Sequence, residues 1–217
     1  MIREWKEMRK TRSREGWVKR QNKDQYVQAS RKEGLRSRAA FKLEQINKKY
    51  KILDSGCRVL DLGCAPGGWL KVARKYVGDS GKIVGVDLLD VDPIKGVDFI
   101  KGDFRDPKIV EQIQERLGIR GLDLVISDMA PNMSGNRTTD QARAMHLADL
   151  ALDAACRWLN PGGAMAVKLF QGAGVDAWMA EVRKHFDKAR LVKPEASRSE
   201  SREVYAVAQG FVPETEG

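Results

Sequence analysis

Short apolar runs alternate with stretches of helical spacing along most of this 217-residue chain, and that alternation is the strongest constraint on its fold. Residues 58–62, 82–86, 97–100, 122–126 and 164–168 read as buried strands. Helices are expected over 67–76, 106–117, 139–159 and 175–185, with Asn160-Pro161-Gly162-Gly163 as the stop after the longest. Strand–helix–strand succession implies parallel pairing, with helices on both faces of one sheet. The pattern changes near the end. Residues 189–192 and 203–208 read as strands separated only by a polar loop, so they should form an antiparallel hairpin at one end of the sheet. The expectation is an α/β domain with a seven-stranded, mostly parallel sheet and an antiparallel last strand.

Charge divides the chain differently. Residues 1–51 hold 17 Lys and Arg against 6 Asp and Glu, a balance of +11, while the remainder holds 22 against 24. The net charge of +9 therefore belongs to the N-terminal part. Residues 1–35 read as a basic arm, partly helical, and residues 36–212 as the folded domain. A near-neutral body with a cationic arm suits a polyanion partner. Trp5, Trp17 and Tyr26 lie among the cations and are placed either to stack on bases or to anchor the arm. Over 38–50, Ala39, Leu43 and Ile46 have helical spacing, with Ser37 as the expected N-cap.

Cys57, Cys64 and Cys156 are odd in number and lack C-x-x-C spacing, so neither a disulfide framework nor a zinc site is expected. His146 and His185 form no local metal pattern, and no metal is expected. No run approaches the apolar length of a membrane helix, and the start of the chain has no signal-peptide core. A cytoplasmic monomer with no membrane contact is the expectation.

The first strand runs into Asp61-Leu62-Gly63-Cys64-Ala65-Pro66-Gly67-Gly68-Trp69. Glycines between a strand and a helix let a ligand approach the backbone. Their G-x-x-x-G-G spacing is not the G-x-G-x-x-G of dinucleotide binders. Pro66 withholds an N–H donor, and Asp61 would repel a phosphate but suit a cationic amino group. This favours S-adenosylmethionine over a nicotinamide cofactor. Asp87 ends the second strand, where an acid accepts from ribose hydroxyls, and Asp103 follows the third, near the expected adenine.

Four further ionisable residues stand at element ends that can converge: Lys42 on the early helix, Asp128 after the fourth strand, Lys168 ending the fifth and Glu203 opening the last. A lysine that closes an apolar strand is poor core filler, because lysine is almost never fully buried unpaired.

At these positions the chain resembles the FtsJ (RrmJ) heat-shock rRNA methyltransferases. The matching stretches are Gly34-Leu-Arg-Ser-Arg-Ala39 with Phe41-Lys42-Leu43, Asp61-Leu-Gly63 with Ala65-Pro-Gly-Gly-Trp69, and Asp92-Pro-Ile94. They continue through Gly96-Val-Asp-Phe99, Gly102-Asp-Phe-Arg-Asp106 and Ser127-Asp-Met-Ala-Pro-Asn-Met-Ser-Gly135 to Phe170-Gln-Gly172 and Ser201-Arg-Glu-Val-Tyr205. The resemblance covers about residues 25–210. It implies a Rossmann-like S-adenosylmethionine-dependent methyltransferase fold, whose sheet closes with an antiparallel last strand. It implies a catalytic tetrad at Lys42, Asp128, Lys168 and Glu203, and cofactor contacts at Gly67, Trp69, Asp87, Asp103 and Asp128. Asp61 and Gly63 join the cofactor set from the turn itself. The implied substrate is a uridine ribose 2′-hydroxyl in the A-loop of 23S rRNA, in the assembled large subunit.

A ribose hydroxyl must lose its proton as it attacks. A positioned base is therefore needed, and a lysine serves only if its pKa falls towards neutrality. Lys168 is the base or hydroxyl positioner, with Asp128 orienting it, and these residues alone leave base against positioner open. Competing readings are a nicotinamide oxidoreductase, a non-catalytic RNA-binding assembly factor, and a tRNA or mRNA-cap 2′-O-methyltransferase with the same tetrad.

Overall fold

The computed structural model describes residues 38–118 and 121–213. The basic arm and Ser37 lie outside them. Twelve elements follow: α1 (Ala39–Tyr50), β1 (Arg58–Leu62), α2 (Gly68–Val77), β2 (Lys82–Asp87), β3 (Asp98–Lys101), α3 (Pro107–Leu117), β4 (Leu122–Ser127), α4 (Arg137–Trp158), β5 (Leu159–Phe170), α5 (Val175–His185), β6 (Phe186–Val192) and β7 (Glu203–Phe211).

They form one seven-stranded sheet in the order β3-β2-β1-β4-β5-β7-β6. The pairs among β1 to β5 are parallel, and β7 is antiparallel to both β5 and β6. The expected hairpin is present. Its second strand is not the outer one: β7 inserts beside β5 and leaves β6 at the edge. Strand order reverses between β1 and β4, and the crevice outside the carboxyl ends of such a pair is where open α/β sheets take ligands.

Each face of the sheet buries its own core. One face sends Val59, Ile126, Ala166, Tyr205 and Val207 against α1 and α2, where Ala40, Leu43, Ile46, Trp69 and Leu70 meet them. The other sends Leu60, Val125, Met165 and Val167 against Ile109 and Ile113 of α3, Ala148 and Leu152 of α4, and Trp178 and Val182 of α5. Residues two apart share a face, so this assignment also fixes where the polar residues at strand ends point.

Local chemistry sets the boundaries. Asp106 is the cap of α3 rather than its first residue, accepting from the Lys108 amide at 2.9 Å, with Pro107 at the first helical position. Asn136 caps α4 through the Thr138 and Thr139 amides, so that helix starts two residues before the expected Thr139. At α1 the cap position is Arg38, whose side chain makes no capping bond and donates to the Ala196 carbonyl instead. The largest departure follows α4. Asn160 to Gly163 do not separate helix from strand but belong to β5, which begins at Leu159. Leu122 pairs with Leu159 and Leu124 with Ala164, so the extra residues bulge out of the ladder. Pro161 has no N–H to donate, and Gly162 takes φ +83°, both suited to a bulge.

Candidate active site

The carboxyl ends of the central strands bring the four ionisable residues together as two ion pairs. Lys42 Nζ lies 2.9 Å from Glu203 Oε2, and Lys168 Nζ lies 3.3 Å from Asp128 Oδ1. Lys168 also donates to the Asp128 main-chain carbonyl. Register explains the arrangement. Lys168 stands opposite Tyr205 across the β5–β7 ladder, and Phe170 opposite Glu203. Lys168, Tyr205 and Glu203 therefore share one face, with Ala166 and Val207, and that face is the one α1 covers. Lys42 reaches Glu203 from the first turn of α1. Lys42 and Lys168 are both buried, which a lysine tolerates when its ammonium is paired.

Tyr205 is a functional candidate that the sequence reading passed over. It is fully buried, and its hydroxyl donates to Asp128 Oδ1 at 2.6 Å. Its ring packs on Trp69 at 5.7 Å, and Lys42 Nζ stands 5.5 Å from its centroid. Burial, then the neighbouring Asp128 charge, pushes its phenol well above its ordinary range, so it stays a donor. Its signal was its position two residues after Glu203, on the same face of the strand. Burial opposes ionisation of Glu203, but the Lys42 charge and hydrogen bond, with Lys168, overcome it and hold this carboxyl below its ordinary value.

The remaining acids line up beyond Asp128. Asp61 is 1% exposed, and neither carboxylate oxygen has a hydrogen-bond partner among the described residues. Burial, then the charges of Asp128 and Asp87, raises its pKa well above the ordinary range. A buried ionised carboxylate without a partner costs several kcal/mol. Asp87 Oδ2 accepts from the Ala65 amide and Oδ1 from the Leu89 amide, both at 2.8 Å, which fixes the carboxylate at the end of β2. Asp103 is clasped by the Arg105 guanidinium, the principal cause of its lowered pKa.

Gly63, Asp87, Asp103 and Asp128 line one cavity of about 860 Å³, which continues past Phe104, Met129, Pro131 and His146. Asp61, Gly67 and Trp69 are not among its lining residues. Gly67 is the cap of α2 at φ +95°, and its amide donates to the Cys64 carbonyl. Trp69 is buried, and its indole N–H donates 2.8 Å to the Ala39 carbonyl, tying α2 to α1. Gly63 holds φ +72°, and a Cβ there would lie 2.1 Å from Met129 Cγ. The two loops at the switch point can therefore approach this closely only with glycine on one side.

Comparison with known proteins settles the family. The sequence matches the family described as FtsJ-like methyltransferase over residues 35–211. The chain belongs to the FtsJ-like methyltransferases. Members of this family use S-adenosylmethionine as methyl donor. Among solved structures, the crystal structure of a Plasmodium falciparum protein assigned as a ribosomal RNA methyltransferase matches with a TM-score of 0.73 and 29% sequence identity. The match covers 82% of this chain and 100% of that one. Among the described residues no His, Cys, Asp and Glu cluster could hold a metal ion, and no helix is long and apolar enough to cross a membrane.

Proposed function

We propose that this FtsJ-like methyltransferase transfers the methyl group of S-adenosylmethionine to the ribose 2′-hydroxyl of a uridine in 23S rRNA, in the assembled large ribosomal subunit. It would act as a cytoplasmic monomer, with the basic segment 1–35 contacting RNA. The carrying observation is the juxtaposition of two lysine–carboxylate pairs with a buried, unpartnered acid at one switch point. Similarity to a protein assigned as an rRNA methyltransferase supports the RNA substrate.

The residues fit the donor. Asp61 is a buried carboxyl without a hydrogen-bond partner among the described residues, and an amino group would satisfy it. Asp87, held rigid by two amides, retains free lone pairs for ribose hydroxyls, and the cavity beyond it has the size of a cofactor site. S-adenosylmethionine, when bound, supplies a methyl group already activated on a sulfonium.

The protein's own task is then to place the ribose oxygen and manage its proton. As a neutral amine, after its ammonium has released a proton, Lys168 would take the 2′-hydroxyl proton; as the ammonium it would hold the oxygen in line. Asp128 orients it through the carboxylate and the main-chain carbonyl. Tyr205 occupies one lone pair of Asp128 Oδ1 and so limits how that carboxylate can turn. The Lys42–Glu203 pair sets the charge balance at the ribose and seats it on the α1 side.

The test is a map of 2′-O-methyl sites on total RNA from cells with and without this protein. One uridine of 23S rRNA should lose its methyl group in the protein's absence. Loss of a mark on tRNA or an mRNA cap instead would move the substrate, and an unchanged map would overturn the reading.

A further inference from the structure

The cations of the folded body are not scattered. On α1, Arg38, Lys42, Gln45 and Lys49 fall at spacings of four, three and four residues, which is one stripe of the helix. The stripe starts in a pocket of about 360 Å³ lined by Arg38, Lys42, Arg198, Glu200, Ser201 and Glu203, at the catalytic pair. It ends in a groove of about 700 Å³ lined by Lys48, Lys49, Tyr50, Leu191, Lys193 and Glu195, among others. The two hollows share both walls. One is α1. The other is the β6–β7 loop, docked on α1 where the Ala196 amide donates 2.9 Å to Gln45 Oε1. Lys193 bridges them, donating to the Ser201 carbonyl at 2.7 Å and the Ser199 carbonyl at 2.9 Å.

The edge strand extends the same surface. Lys188 stands opposite Gln209, and Arg190 opposite Val207, so both lie on the face that carries α1. Gln209 Nε2 donates 3.0 Å to the Tyr50 carbonyl, which brings the end of α1 beside them. Lys48, Lys49, Lys188 and Arg190 are exposed, and none forms an ion pair among the described residues. Glu195 is the acid in the groove. Lys49 Nζ stands 5.4 Å from the centroid of the half-buried Tyr50 ring.

We infer that this groove, from Arg38 and Arg198 at the catalytic pair to Lys48, Lys49, Lys188 and Arg190 at the sheet edge, is the track on which RNA flanking the target nucleotide lays its phosphates. The inference rests on the RNA reading above and adds a path to it. A row of cations along one side of the molecule, four of them exposed and outside any ion pair among the described residues, is the footprint of a polyanion. α1 spans about 16 Å from Arg38 to Lys49 at the usual helical rise, so the track leads away from the ribose site rather than encircling it. None of its residues lines the cavity that holds Asp87 and Asp103.

The test uses the full chain with Lys48, Lys49, Lys188 and Arg190 all changed to Gln. These side chains are exposed, and Lys193, which holds the loop, is left in place. A control variant carries Gln at Lys108, Arg116, Arg183 and Lys184, four exposed cations of α3 and α5, matched for charge. Direct binding to an unmodified large-subunit rRNA transcript is measured against salt, alongside methyl transfer. The groove variant should weaken RNA binding on the order of tenfold or more and flatten the log-affinity against log-salt slope by about 2 to 3. S-adenosylmethionine affinity should not change, and the control should bind RNA like the wild type. Equal losses in both variants would mean that net charge alone matters, and a groove variant with wild-type binding would remove the track; either overturns the inference. Because binding is read without catalysis, a wild-type protein that binds RNA through the groove but methylates none would leave the track standing and sink the functional reading.

Discussion

Two sides of one tetrad carry opposite charge in opposite states. Towards β1 and β2, Asp87 and Asp103 line the cavity, Asp103 held by Arg105, and the buried Asp61 has no hydrogen-bond partner among the described residues. Towards α1 and β6 the side chains are cationic, and four of them stand exposed outside any described ion pair. Between the two, Lys42–Glu203 and Lys168–Asp128 are already paired. The difference separates two kinds of charge. Paired charges hold geometry, since breaking a buried pair leaves an uncompensated ion. Unpaired charges are set for something that arrives. In the proposed function a cationic donor comes from the acid side and a polyanionic acceptor from the basic side, and the paired middle is where they meet.

Breaking the paired middle should have the largest effect. Lys168→Ala should lower the single-turnover methyl-transfer rate on ribosomal subunits by about 10²–10⁴-fold, with little change in donor affinity. Lys168→Arg should not rescue, because a guanidinium cannot release its proton near neutrality. Retention of more than about a tenth of the wild-type rate, well short of the smallest loss expected for such a group, would make Lys168 structural.

The acid side should respond less, and in two directions at once. Asp61→Asn should weaken S-adenosylmethionine binding by about 1.5–3 kcal/mol, the range for a hydrogen bond to a charged group. The same change should raise the melting temperature of the ligand-free protein. The folded-state pKa of Asp61 lies above its unfolded value. Its contribution to stability is therefore present below the unfolded pKa and is lost as pH rises through the folded one. The gain from Asn should accordingly vanish at acid pH and grow as pH rises. Calorimetry across that range, with a parallel titration of the donor, tests both. A destabilised Asn variant would mean that the carboxylate is satisfied in the free protein.

Tyr205→Phe should have the smallest effect on the reaction: the hydrogen bond it removes from the Asp128 carboxylate is worth about 1.5–3 kcal/mol, but Lys168 remains as a partner of Asp128 and the ring packing is kept. A several-fold loss in rate at unchanged donor affinity is expected, and a loss as large as that of Lys168→Ala would give the phenol a direct part in the reaction.

The convergence of Lys42, Asp128, Lys168 and Glu203 was legible in the sequence because several of them stand out from their surroundings. Lys168 ends an apolar strand, and an acid follows each of several strands. Tyr205 violates nothing: a tyrosine in a buried strand is ordinary, and its role appears only once β7 is registered against β5. That registration was itself hidden. A hairpin signal reports that β6 and β7 pair but carries no information about which of them enters the sheet. Asn160 to Gly163 looked like punctuation because Pro and Gly usually end elements, and a bulge uses the same residues for the same conformational reasons. Nor does a linear sequence show that the Trp69 indole is bonded to the Ala39 carbonyl and its ring packed on Tyr205.

The insertion of β7 between β5 and β6 also has a meaning in time. Lys42 and Glu203 are 161 positions apart, and the strand that brings Glu203 and Tyr205 to the centre is the last one described. As the chain emerges during synthesis, α1 and the five parallel strands can begin to assemble while one of the four residues, Glu203, has yet to be made. Domains mature as units, and contacts between such distant residues form late. A nascent copy would thus hold Lys42, Asp128 and Lys168 without Glu203 and Tyr205, with Lys42 lacking its ion-pair partner and Asp128 the phenol that caps it.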